Sequence, residues 1–84
     1  SILHLIRGGL HSWPLEIAKR QAAEGHRVSL LLLHDGVYAS VDAGLKVYAC
    51  RDDVLARGIE TQAELLSYDG MVELIFAHDN VCCW

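Results

Sequence analysis

Three cysteines and five histidines are the residues of this chain best suited to chemistry. Cys82 and Cys83 are neighbours near the carboxyl terminus. A disulfide between sequence neighbours closes a small strained ring, so the pair is not read as a structural bridge. As thiolates the two would be nucleophiles for sulfur transfer or redox work, and His78 favours ionisation if the fold brings it close. The competing role is packing, with one cysteine of an edge strand turned inward as a small hydrophobe and its neighbour incidental. Cys50 sits beside Arg51, a cation that lowers a thiol's pKa where the two meet, although a core position is the stronger reading.

The histidines fall at positions 4, 11, 26, 34 and 78, with no H-x-x-x-H or C-x-x-C spacing. No metal site and no cofactor are therefore expected. Arg7-Gly8-Gly9, between a strand and a helix, has the parts of a minimal anion loop: backbone N–H groups, a helix start and one cation. It lacks the G-x-G-x-x-G spacing and the G-K-[ST] ending, and a tight turn explains the glycines equally well. Asp52-Asp53 reads as helix capping rather than as a catalytic pair. No Ser-His-Asp arrangement stands out.

These groups need elements to position them. Ile2–Ile6 is short and almost wholly apolar, the pattern of a strand buried on both faces. Ser12, Pro14 and Glu16 make a helix start, and Leu15, Ala18 and Ala22, with Ile17 beside them, form its apolar stripe. Gly25 is placed to end it. Val28–Leu33, with four consecutive leucines, is expected near the sheet centre. Val37–Val41 reads as a short helix, Lys46–Cys50 as the third strand, and Val54–Arg57 as a helix capped by Asp52 and stopped by Gly58. Leu65–Tyr68 reads as a strand. Asp69 is expected to cap a helix through about Ala77 whose Val72, Ile75 and Phe76 face inward, and Val81–Trp84 to form an edge strand. Alternating strands and helices with short links predict one α/β domain over residues 1–84, with a mainly parallel sheet of about five strands and helices on both faces. Arg7, His34 and Cys50 then fall at strand ends, where ligands collect in such sheets.

Of the 84 residues 52% are hydrophobic, and counting the seven glycines in place of the three tyrosines raises that share further. Soluble domains reach roughly 45–50% on the latter count. So small a domain has too little interior for the excess, so subunit contacts are expected to cover it. A net charge of −4 with scattered basic residues argues against direct nucleic-acid binding. No apolar run is long enough to cross a membrane, no signal peptide is visible, and the missing initiator methionine reads as removal or trimming. An odd cysteine count with two neighbours fits a reducing cytoplasm.

Four segments in register resemble the DsrH/TusB family of DsrE/F/H-like sulfur-relay proteins. Ile2-Leu3-His4 is similar to its opening strand and Leu31–Ala39 to its LL…DGVYA strand and turn. Lys46–Gly58 resembles its KVYAL…DL.ARG segment, and Tyr68–Leu74 with His78 and Trp84 its ending. The resemblance implies a small α/β fold and membership of a cytoplasmic sulfurtransferase assembly. Its partners would be related DsrE/TusD-like and DsrF/TusC-like chains together with small sulfur-carrier proteins. The work would be 2-thiolation of the wobble uridine of tRNA or dissimilatory sulfur oxidation. In that family the main acceptor cysteine lies on the DsrE/TusD chain, and the DsrH branch has a further one on the first helix. Here Ala18 stands at that position, so an accessory, non-catalytic subunit is expected. Interface candidates are Trp13, Tyr38 and Trp84, aromatic types enriched at binding hot spots. Two other expectations compete: a persulfide carrier using Cys82 or Cys83, and a stand-alone homo-oligomer binding an anion or nucleotide at the edge of Arg7 and His34.

Overall fold

The computed structural model describes residues 1–8, 13–39 and 44–84. Strands β1 (Ile2–Ile6), β2 (Val28–Leu32), β3 (Lys46–Cys50), β4 (Glu64–Leu66) and β5 (Asn80–Cys83) alternate with helices α1 (Trp13–Ala23), α2 (Arg51–Arg57) and α3 (Tyr68–Phe76); a 3-10 turn, His34–Tyr38, follows β2. The sheet runs β4-β3-β2-β1-β5 and every pair is parallel. The expected fold class is therefore the observed one. β2 is central, and all five of its residues are buried, because helices cover both of its faces.

Strand alternation sorts the core. Ile6, Val28, Leu30, Leu32 and Ala49 pack with Ala18 of α1 and Val54 of α2 on one face. Leu3 and Leu31 alternate to the other face and are equally sealed. That second face is crossed by α3, which must travel from the β4 edge to the β5 edge. A single nine-residue helix laid across several strand spacings leaves both its flanks open, and no α3 residue is buried. Phe76, expected to face inward, is 84% exposed.

Local chemistry moves several boundaries. α2 begins at Arg51 with Cys50 as its capping residue and ends at Gly58, whose φ of 60° is left-handed. α3 is capped by Ser67 rather than Asp69: the Ser67 Oγ accepts the Gly70 N–H at 3.3 Å. β4 starts one residue earlier than expected and stops at Leu66, since Ser67 is spent on the cap. The described part of the expected Val37–Val41 helix is instead the 3-10 turn. The expected helix start at Ser12 and the end of the Arg7-Gly8-Gly9 loop lie outside the described residues.

Candidate functional site

All strands point the same way, so one edge of the sheet collects their carboxyl ends. Arg7 follows β1 there, His34 follows β2, Cys50 closes β3, and Cys82 and Cys83 close β5. The exits of β1 and β2 are laced together: the Leu33 N–H donates to the Ile6 carbonyl at 2.9 Å and the Gly36 N–H to the Arg7 carbonyl at 3.1 Å.

His34 has a φ of 50°, the only positive value at a non-glycine among the described residues. Its N–H meets the Asp53 carboxylate at 2.8 Å, so Asp53 ties α2 to the β2 exit. Arg57, one turn further along α2, brings Nη1 to 3.7 Å from Asp53. It also donates through Nε and Nη2 to Asp35 Oδ1, at 3.2 and 3.1 Å. The His34 N–H is the main cause holding the Asp53 carboxyl below its usual range, against the opposing effect of burial. Two carboxylates thus flank His34. Among the described residues no side-chain bond joins it to the exposed Arg7.

Cys50 is buried. Burial pushes its thiol pKa up and the facing Asp53 carboxylate acts in the same direction, while the Asp53 and Asp52 N–H groups pull it down. Arg51, a candidate for stabilising a thiolate, instead lies 3.8 Å from Asp52. A covered thiol with a raised pKa is a poor nucleophile.

Cys82 and Cys83 are consecutive strand residues and project to opposite faces. Cys82 is half-buried beside His4, its partner in the β1–β5 register, and Cys83 is exposed. His78 precedes β5 and lies at the opposite end of the sheet, where its Nδ1–H donates to the Leu74 carbonyl at 2.8 Å. It does not serve these cysteines.

Sequence reasoning missed a buried relay across the β1–β5 seam. His4, fully buried, lies 2.9 Å from the Trp84 indole nitrogen through Nδ1 and 2.7 Å from Gln21 Oε1 through Nε2. An indole N–H only donates, so Nδ1 accepts and Nε2 carries the proton given to Gln21. The Trp84 ring stacks on His4 at 6.0 Å. A histidine inside an apolar strand was the visible signal; its partner 80 residues away was not.

Of the interface candidates, Trp13 is 70% exposed, Tyr38 55% and Trp84 41%; Tyr68 and Leu55 add to the exposed apolar surface. Among the described residues no three metal-ligating side chains cluster, and no helix is long and apolar enough to cross a membrane.

A five-stranded parallel sheet with helices on both faces defines a small α/β domain, and several of its large apolar side chains are exposed. The model of the family described as DsrH like protein matches residues 15–81. The chain is 31% identical to Protein TusB of Enterobacter sp. (strain 638) over 86% of its own length and 90% of that protein's. To Protein TusB of Escherichia coli (strain K12) it is 38% identical over 66% and 73% of the two lengths. The solution structure of protein Tm0979 from Thermotoga maritima superposes with a TM-score of 0.65 at 26% identity, covering 94% of this chain and 95% of that one. The chain belongs to the DsrH family.

Asp53→Asn tests the clasp on His34. Losing a charge-assisted hydrogen bond should cost about 1–2 kcal/mol at neutral pH. Because the folded carboxyl pKa is depressed, this stabilisation is present above the ordinary value of about 3.9. It is lost as pH falls through the lower folded value. Urea unfolding should therefore separate variant from parent at pH 7 and bring them together in strong acid. A gap that persists undiminished in acid would rule out the ionised clasp.

Proposed function

We propose that this chain is a subunit of a cytoplasmic sulfur-relay complex serving tRNA 2-thiolation, in which it builds contact surface while another chain carries the main persulfide. Membership of the DsrH family supports the relay, and the likeness to TusB proteins favours the tRNA branch over sulfur oxidation. One observation carries the accessory role. The thiol within the core of the carboxyl edge, Cys50, is buried with its pKa raised, and α1 contains no cysteine, while eight large hydrophobic side chains lie exposed among the described residues. Relay between proteins requires the attacking thiolate in line with a donor sulfur. A chain without that thiolate contributes by docking its neighbours and excluding water.

Co-expression with the related DsrE/TusD-like and DsrF/TusC-like chains should give one co-purifying assembly. Trp13→Ala with Phe76→Ser should weaken it at least tenfold while moving unfolding by no more than about 0.5 kcal/mol, as for other surface positions. A chain that stays alone under these conditions overturns the role.

The exposure of Cys83 favours a second reading, in which the β5 cysteines accept sulfur. The thiolate would attack the outer sulfur of a donor persulfide, forming the new S–S bond as the donor leaves as thiolate with the electron pair. Incubation with a cysteine desulfurase and labelled cysteine should then add label that Cys82→Ser/Cys83→Ser abolishes. Absence of label, or label indifferent to those changes, removes this reading.

A further inference from the structure

His4 is a titratable side chain sealed inside the sheet, and the relay role makes no use of it. It is fully buried in the middle of β1, and both ring nitrogens are engaged. Nδ1 lies 2.9 Å from the Trp84 indole nitrogen and Nε2 2.7 Å from Gln21 Oε1. A neutral imidazole has one donor and one acceptor, and an indole N–H can only donate. Nε2 therefore gives its proton to the Gln21 carbonyl, and Nδ1 must stay bare to receive Trp84.

A second proton can go only to Nδ1, where it would point at the indole N–H across that 2.9 Å. Two donors face to face repel, and a cation sealed from water is costly. The ring centres are 6.0 Å apart, the outer limit of cation–π attraction, so stacking offsets little of this. Around the ring, α1 presents the uncharged Gln21, while its charged residues Glu16, Lys19 and Arg20 are exposed. β2 presents Leu30, and β5 presents Cys82, whose thiol is titratable. β5 has β1 as its one strand neighbour, and the seam is fastened at both ends. At the amino end the Asn80 N–H donates to the Ser1 carbonyl at 3.1 Å and the Asp79 N–H to Ser1 Oγ at 3.2 Å. At the carboxyl end the Trp84 backbone N–H donates to the Leu5 carbonyl at 2.9 Å, beside the contact with His4. That second fastening alone depends on the charge of His4, and Cys82 lies on the same face of the strand as Trp84.

We propose that His4 is a proton-operated latch on β5: a second proton at Nδ1 expels the Trp84 indole and frees the strand from Cys82 onward, opening Cys82 to reagents while Asn80 stays on β1. The latch belongs to this chain alone and stands whether or not Cys82 carries sulfur.

The test is an NMR series on the isotope-labelled chain from about pH 8 to pH 5, the interval in which imidazoles take up a proton. The Trp84 indole signal and the amides of residues 82–84 should change together with the His4 ring nitrogens, while those of Val28 and Asn80 hold. In parallel, a disulfide reagent that works in acid is applied. Modification of Cys82 is divided by that of the exposed Cys83, so that the pH dependence common to thiols cancels. The ratio should rise as the pH falls, approaching about tenfold per pH unit, the limit for one linked proton. His4→Gln, neutral throughout, should flatten it; if that variant does not fold, the spectra of the parent decide alone. Four results would each overturn the latch: a His4 ring that gains its proton with the Trp84 indole unmoved, a ring that gains none in this interval, a ratio that rises as steeply in His4→Gln, or loss of the Val28 and Asn80 signals along with those of residues 82–84.

Discussion

Gly36→Ala is expected to unfold the chain or bring it to the brink, at a cost of about 3 kcal/mol or more. The total stability of an 84-residue domain is on the order of 4–13 kcal/mol. A Cβ at this position would sit 2.0 Å from the Ile6 carbonyl oxygen and 2.8 Å from its carbon. Both are backbone atoms and cannot swing aside as a side chain does. The same oxygen accepts the Leu33 N–H, and Gly36 itself donates to Arg7, so relieving the clash breaks the seam between the exits of β1 and β2. Gly8 is the control: a Cβ there meets nothing within 4 Å among the described residues, so Gly8→Ala should change stability by no more than about 0.5 kcal/mol. Urea unfolding of the two variants decides the matter. A Gly36→Ala chain within 0.5 kcal/mol of the parent, by the same surface-position yardstick, would show that the seam is not tight.

That requirement of Gly36 also explains where reading the residues alone went astray. The strand pattern was legible because burial on both faces writes itself into β2 as an unbroken apolar run, and Gly58 stops α2 for a purely local reason, its left-handed φ. Taken alone, Val37–Val41 reads as a short helix. Contact with the β1 carbonyl, fixed by a residue some thirty positions earlier, tightens it into a 3-10 turn beginning at His34. Phe76 failed differently. Helical spacing marks the stripe of α3, but how much of that stripe is covered depends on how many strands one helix must span. The site shows the same division. Arg7, His34 and Cys50 fall at strand ends by topology alone. The Asp53–His34 and Arg57–Asp35 links, nineteen and twenty-two residues apart, leave no periodic trace.

A still longer link, from Trp84 to His4 eighty residues away, gives the second large effect. Trp84→Ala should destabilise the chain by about 3 kcal/mol, the low end of the roughly 3–5 kcal/mol seen for buried aromatic truncations, because 41% of the residue is already exposed. At about 4–8 °C per kcal/mol for a domain of this size, the melting temperature should fall by about 12–24 °C. Trp84→Phe separates the causes. It keeps a ring over His4 but removes the N–H, leaving a fully buried Nδ1 without its donor, an omission worth about 1–3 kcal/mol. Replacing both partners, His4→Leu with Trp84→Phe, leaves no orphaned nitrogen on the seam and should cost less than the two single changes added together. Since β5 is an edge strand held on one side, by β1, loosening Trp84 also uncovers Cys82, which lies opposite His4 in the register. A thiol reagent should modify Cys82 faster in Trp84→Ala than in the parent while Cys83, already exposed, reacts at much the same rate. Equal Cys82 rates in the two proteins would mean that the terminal tryptophan stacks on the seam without closing it.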